Sequence, residues 1–232
     1  MTYDNRLIPQ PQSITMLSDH TICVGTSVVS NIRSKHRAVK NAFREISYFL
    51  SRRVCRPCVS AGTTVYLELS NTPSTEMAYP EEGYSITTSY ERITVTGYGP
   101  IGLYYGVLTL IQLAEPRGVD HYVPHVKVLD WPATKIRGLA IDSDAASMTL
   151  EDWRKILHLI SKQKMNSLFI NSNLFSENPA LFEKIIGHGN DHCVSILTPG
   201  DMKVHDMSGF SNSCAEDALS KHAEIVWTSG RK

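Results

Sequence analysis

The chain has no surplus of either charge: 23 lysines and arginines balance 23 aspartates and glutamates over 232 residues. A neutral chain sets up no long-range field to gather phosphate backbones or anionic lipid, which argues against nucleic acid and membrane surfaces as partners. Long apolar runs are missing too. No segment reaches the roughly 20 apolar residues of a membrane span, and the opening MTYDNRLIPQPQS lacks the apolar core of a secretory leader. There is no glycosylation sequon, since Asn71-Thr72 runs into Pro73. Cysteine is sparse, and Cys23, Cys55, Cys58, Cys193 and Cys214 are odd in number and scattered, which does not make a disulfide framework. These absences predict a cytoplasmic protein with reduced thiols. No G-x-S-x-G elbow is present, so nothing points to an α/β-hydrolase, although composition leaves a Ser-His-Asp triad open.

What is there is a change of rhythm. Over the first half, short strands alternate with amphipathic helices. Thr21 to Val24 reads as a strand, and residues 35–50 carry Val39, Ala42, Phe43, Ile46, Phe49 and Leu50 on one helical face. Thr64 to Leu69 alternates as a half-buried strand, and Ser70 to Glu82, polar with two prolines, reads as a loop. Tyr84 to Thr88 and Arg92 to Thr96 flank a turn at Ser89-Tyr90-Glu91. A helix follows from Ile101 to Ala114, closed by Pro116, and then a strand from Val123 to Val128. Asp130-Trp131-Pro132 reads as a linker.

From Lys135 the units lengthen. Ile136 to Ile141 is a strand leading to Asp142, and Thr149 caps a helix with Asp152 three residues on. Leu150, Trp153, Ile156, Leu157 and Ile160 form its apolar face. Ser167 to Ile170, Ala180 to Ile186 and Val194 to Leu197 continue as strand, helix and strand, a spacing that predicts parallel pairing. The predicted class is α/β. Residues 1–130 form an α+β domain with helices on a sheet, and 135–232 supply the first three strand–helix units of a TIM-like (β/α) barrel. A full barrel takes about 250 residues, so the barrel here is truncated.

Several motifs invite chemistry. Gly97-Tyr98-Gly99-Pro100-Ile101-Gly102 fits G-x-G-x-x-G, with Asp120 about 20 residues further on where a ribose-binding acid would stand. The preceding strands read as a hairpin, however, and Tyr104 and Tyr105 crowd the turn. The glycines are therefore assigned to close helix–sheet packing, and no cofactor is expected. Cys55-Arg56-Pro57-Cys58 follows a helix rather than opening one, and no second pair completes a zinc set. His188, His192 and His205 match no ligand template, so no metal is expected. The candidates for ligand binding are Asp142 and Asp144 at the end of the first barrel strand, Asn171 and Asn173 at the end of the second, and Asp201 after the third. Strand C-termini face the active site in barrels, although such acids also cap helices.

Leu7-Ile8-Pro9-Gln10-Pro11-Gln12, Glu82-Gly83-Tyr84-Ser85-Ile86, Ile93-Thr94-Val95 and the run Gly102 to Leu113 (GLYYGVLTLIQL) together resemble the accessory domain of glycoside hydrolase family 20, the β-N-acetylhexosaminidases. Asp130-Trp131-Pro132 and Arg137-Gly138-Leu139-Ala140-Ile141-Asp142 are similar to that family's entry into its barrel and its first strand, with Arg137 and Gly138 as structural positions, and Lys164-Met165-Asn166 to the end of its first barrel helix. The resemblance implies N-acetylhexosamine-containing glycans as ligands. It also implies a mechanism in which the substrate's acetamido oxygen attacks the anomeric carbon while an Asp-Glu pair stabilises the oxazolinium and protonates the leaving oxygen. Three departures follow. The family's sugar-holding arginine falls at Ala145, the second strand ends in Phe169-Ile170-Asn171 where the family commonly shows polar residues such as histidine, and no Asp-Glu dipeptide occurs in the 232 residues. The implied function is a divergent or truncated hexosaminidase-like pseudoenzyme, inactive alone; the alternative is a non-catalytic carbohydrate-binding or protein-interaction module on that scaffold. Unpaired barrel edges point to self-association.

Overall fold

The computed structural model describes residues 7–51, 62–73, 75–142, 148–171, 178–197, 203–204 and 210–211. The chain divides into two compact units, Met1–Ala133 and Thr134–Lys232.

The first unit runs β1 (Ser13–Ser30), α1 (Arg37–Ser51), β2 (Thr63–Leu69), a 3-10 turn (Pro80–Glu82), β3 (Tyr84–Thr88), β4 (Ile93–Gly97), α2 (Pro100–Leu113), β5 (Glu115–Arg117) and β6 (Asp120–Asp130). Its sheet has the order β1-β2-β4-β3-β6-β5, with β1 also pairing to β6. Strand β1 changes partners along its length. Ser13–Met16 and Thr21–Cys23 run antiparallel to β6, whereas the stretch from Val24 to Ser30 runs parallel to β2. Five strands thereby form a closed circuit of pairings.

Both helices pack on one face of this sheet. Val65, Leu67, Ile86, Ile93, Val95, Val126 and Val128 are buried, and the alternate positions Ser85, Thr94 and Thr96 are polar and partly exposed. That is the pattern of an antiparallel-rich sheet covered on one side. Helix α1 presents Val39, Ala42, Ile46 and Leu50 at helical spacing. Helix α2 is apolar nearly all round, burying Leu103, Tyr104, Tyr105, Val107, Leu108 and Leu110, and packs against both the sheet and α1. Each fully buried aliphatic side chain of this kind stabilises the fold by about 1.5–3 kcal/mol.

The glycine-rich turn joins β4 to α2. Gly99 is the N-cap residue, Pro100 opens the helix, and Tyr98 N–H donates to the Gly83 carbonyl at 2.9 Å. A Cβ on Gly102 would overlap the Gly83 carbonyl oxygen, so glycine there lets α2 rest on the start of β3.

The second unit runs β7 (Gly138–Asp142), α3 (Leu150–Lys162), β8 (Ser167–Asn171), α4 (Pro179–Asp191) and β9 (Ser195–Leu197), with β7, β8 and β9 parallel and adjacent in chain order. Trp153, Leu157, Ile160, Leu168, Ile170, Ile185 and Val194 form its core. A short antiparallel ribbon, β10 (Lys203–Val204) with β11 (Phe210–Ser211), completes the described residues.

Several expectations need correcting. The strand read at Thr21 to Val24 extends to 18 residues. Helix α2 ends at Leu113, and Pro116 belongs to β5, an edge strand that forgoes one amide donor. The loop 70–82 contains the turn Pro80–Glu82, with Glu82 buried. Asp130 is not linker but the buried last residue of β6. The first strand of the second unit begins at Gly138, two residues later than Ile136.

Candidate functional site

The two ends of the parallel sheet do different things. At the N-terminal end, Arg137 ties three pieces of chain together. Its Nε donates to the Lys164 carbonyl at 3.1 Å, and its Nη1 donates to the carbonyls of Thr134 at 2.7 Å and Lys135 at 3.4 Å. Its backbone N–H donates to Asn166 Oδ1 at 3.0 Å, and its carbonyl accepts from Asn166 N–H and Ser167 N–H. Asn166 Nδ2 closes the cluster on the Lys135 carbonyl at 2.7 Å. Lys164 is in the left-handed region at φ 57°, closing α3, and Cys193 at φ 58° closes α4 in the same manner. A Cβ on Gly138 would overlap the Ser167 carbonyl oxygen, so a glycine is needed where β7 approaches β8. Arg137 and Gly138 are thus brought against Lys164 and Asn166, and the guanidinium's role is to bind carbonyls.

At the C-terminal end the register sets Asp142 beside Asn171, as Ile141 stands beside Ile170. Neighbouring strands lie about 4.8 Å apart, so two polar residues occupy adjacent positions at the C-terminal ends of β7 and β8. Arg137 immediately precedes β7 and Asp142 ends it, five residues or about 16 Å further along extended chain. Asp144, Ala145, Asn173 and Asp201 lie outside the described residues, as do Cys55, Cys58 and His205.

Helix α3 begins with a capping box. Asp152 N–H donates to Thr149 Oγ1, and Thr149 N–H donates to Asp152 Oδ2 at 3.0 Å. The bond from the Thr149 hydroxyl holds the Asp152 carboxyl below its usual range, with its backbone partner and Lys155 adding to the effect.

The dinucleotide reading of Gly97 to Gly102 does not fit this geometry. Strands β3 and β4 form an antiparallel hairpin, and β5, which directly follows α2, is a strand the sequence reading lacked. Asp120 begins β6 rather than ending a strand, which is not the place of a ribose-binding acid. Among the described residues, no three His, Cys, Asp or Glu side chains are arranged to hold a metal ion. No helix among them is long and apolar enough to cross a membrane.

Sequence reasoning missed one cluster. His158 on α3, His188 on α4 and His192, the residue that caps α4, line a groove with Glu151, Arg154 and Lys155. The signal is split between helices some 30 residues apart, so no local motif exposes it.

The first unit is an α+β domain with two helices on one face of a six-stranded sheet, followed by parallel strand–helix units. The model for glycosyl hydrolase family 20, domain 2, matches residues 4–131, and the chain belongs to this family. A β-hexosaminidase of Porphyromonas gingivalis is 28% identical over 174 residues, covering 69% of this chain and 21% of its own length. A β-N-acetylhexosaminidase of Cellulomonas fimi is 30% identical over 112 residues, covering 48% of this chain and 22% of its own. The chain therefore spans about a fifth of these relatives. Among solved structures, the family 20 exo-β-N-acetylglucosaminidase of Vibrio harveyi, in complex with N-acetylglucosamine, superposes with a TM-score of 0.65 at 14% identity. That match covers 85% of this chain and 36% of that one. The β-N-acetylhexosaminidase of Bacteroides fragilis gives 0.59 at 18% identity, covering 83% and 44%. At these identities the superpositions speak for the fold.

Proposed function

We propose that this chain carries the accessory domain and the opening strand–helix units of a β-N-acetylhexosaminidase barrel. In this reading Asp142 and Asn171 stand at the sugar-facing end, and the 232 residues do not by themselves hydrolyse N-acetylhexosaminides. The observation that carries it is the register of β7 and β8. It puts Asp142 next to Asn171 at the strand C-termini, while the Arg137 cluster occupies the opposite end. Membership of family 20 supports N-acetylhexosamine-containing glycans as the ligand class.

The inactivity rests on chemistry. A retained acetamido group can still attack its own anomeric carbon, but the departing oxygen needs a proton. The sequence holds no Asp-Glu dipeptide to supply that acid and stabilise the oxazolinium. General-acid assistance is worth about 10² to 10⁴ in rate. Ala145, at the family's arginine position, offers a methyl group where a bidentate donor would hold the sugar hydroxyls. On this reading these residues taken alone bind glycan without turning it over, a pseudoenzyme in isolation.

The test has two arms on the purified chain. Nitrophenol release from a nitrophenyl β-N-acetylglucosaminide is expected to stay at background. Turnover in the usual range of about 1 to 10³ per second, lost in Asp142→Asn, would overturn the inactivity. Calorimetric titration with chitobiose is expected to show weak binding that is abolished by Asp142→Ala and Asn171→Ala. Binding indifferent to both would remove these residues from the sugar site.

A further inference from the structure

Away from the strand termini, the outer surfaces of α3 and α4 meet in a groove of about 330 Å³ lined by Glu151, Arg154, Lys155, His158, His188 and His192. Five of these six side chains are cationic or can become so, and Glu151 is the one carboxylate lining the groove. Its hold on Arg154 is loose: Nη1 to Oε2 is 3.6 Å, with both side chains about half exposed or more. The Asp152 carboxylate near Lys155 is already committed to Thr149.

The geometry also bears on protonation. Arg154 Nε donates to His188 Nε2 at 3.0 Å, so in this arrangement that nitrogen is an acceptor and carries no proton. His192 lies edge-on to His158, with ring centroids 5.9 Å apart. If His188 takes up a proton, Nε2 becomes a donor, the bond to Arg154 is lost, and two cations face each other. An anion between them removes the conflict, accepting from both. With Arg154, Lys155 and three imidazoles against one carboxylate, the lining of the groove favours charge of the opposite sign.

We propose that this groove is a proton-linked binding site for a tetrahedral oxyanion, phosphate or sulfate, held by Arg154 and Lys155 of α3 and by the imidazoles of His158, His188 and His192. Binding draws protons from solvent onto the imidazoles. By linkage, affinity therefore rises as pH falls through the range in which histidine changes charge. The site is independent of the glycan reading, since neither Asp142 nor Asn171 contributes to it. A sulfated sugar and a free anion share the chemistry, and the sulfate group is the part recognised.

The experiment follows the imidazole resonances of the intact chain by NMR while inorganic sulfate, or N-acetylglucosamine 6-sulfate, is added at constant ionic strength in chloride. The expected result is saturable shifts of His158, His188 and His192, at least about tenfold tighter near pH 5.5 than near pH 8, because each added unit charge contributes noticeably even at a wetted surface. Arg154→Gln weakens binding at both pH values. His188→Gln keeps an acceptor for Arg154 but takes up no proton, so binding persists with a much smaller pH dependence. Equal affinity for both sulfates means the anion alone is recognised; tighter binding of the sugar assigns the source to a glycan. Shifts that never saturate, that chloride reproduces, or that survive Arg154→Gln unchanged would overturn the proposal. Circular dichroism of the two surface variants confirms that they fold.

Discussion

Tyr84 Oη donates a 2.6 Å hydrogen bond to Asp130 Oδ2 across 46 residues of sequence, joining the first residue of β3 to the last of β6. Thr109 Oγ1 of α2 gives its own hydrogen to the phenol at 2.7 Å, and Gln12 N–H donates to Asp130 Oδ1 at 3.1 Å. Three segments are thereby tied to one buried carboxylate at the end of β6, α2 by way of the phenol. Burial, and then the neighbouring Asp130 charge, push the Tyr84 phenol well above its ordinary value of 10.0.

Tyr84→Phe removes the donor and leaves the carboxylate underserved, so the first unit should lose about 2 kcal/mol. The sign of the pH dependence follows from the raised value. The contribution is fully present below the ordinary tyrosine range and is lost as pH rises toward the folded value. Urea unfolding from about pH 7 to about pH 11 should therefore show a constant gap between wild type and variant up to about pH 10, and a shrinking gap above it. A gap that grows in alkali would contradict the assignment.

Much of this fold is legible because periodicity survives tertiary context. The α1 face of Val39, Ala42, Ile46 and Leu50, the β3–β4 hairpin and the Thr149–Asp152 box are all local patterns, and all appear where expected. What stays hidden is non-local. Nothing near Asp130 announces Tyr84, so a buried carboxylate looks like a linker residue. Strand β1 passes through Asp19-His20 and Gly25 because it exchanges β6 for β2 midway, and such a strand need not keep one alternation. The pairing of Asp142 with Asn171 needs the parallel register, which no single segment encodes.

The Arg137 cluster should behave as structure. Arg137→Lys keeps the charge but cannot reach three carbonyls from a single nitrogen, so the second unit should be destabilised by about 1.5–3 kcal/mol. Hydrogen exchange should localise the loss to the amides of Asn166 and Ser167, which donate to the Arg137 carbonyl. Unchanged protection there would remove the residue from this role.

The helix cap offers an acid-side test. Thr149→Ala should cost about 1 kcal/mol, the usual value of such a cap. Because the Asp152 carboxyl is held below its ordinary range, the stabilisation from its bonds is present above that range and lost as pH falls through the lowered value. The penalty of Thr149→Ala should thus be full at neutral pH and diminish below about pH 4. Helicity followed by circular dichroism across that interval decides it.

The glycine turn separates packing from cofactor binding. Gly102→Ala drives a methyl into the Gly83 carbonyl, and an overpacked contact of this kind costs about 1–3 kcal/mol. The same protein should show no saturable binding of NAD or FAD in calorimetry, before or after the substitution. Micromolar binding by wild type that disappears with Gly102→Ala would restore the nucleotide reading.

Edge strands bring the last expectation. Among the described residues β7 pairs with β8 on one side, and Leu139 within it and Ile136 just before it are 42% and 38% exposed. An apolar sheet edge is a template for a second copy, and lysine is a usual means of blunting it. Sedimentation velocity of the purified chain should therefore show association that reverses on dilution, and Leu139→Lys should shift the population toward monomer. The side chain is already exposed, so the substitution should leave thermal unfolding nearly unchanged. A wild type that stays monomeric at every concentration, or a variant that associates equally well, would place the contact elsewhere.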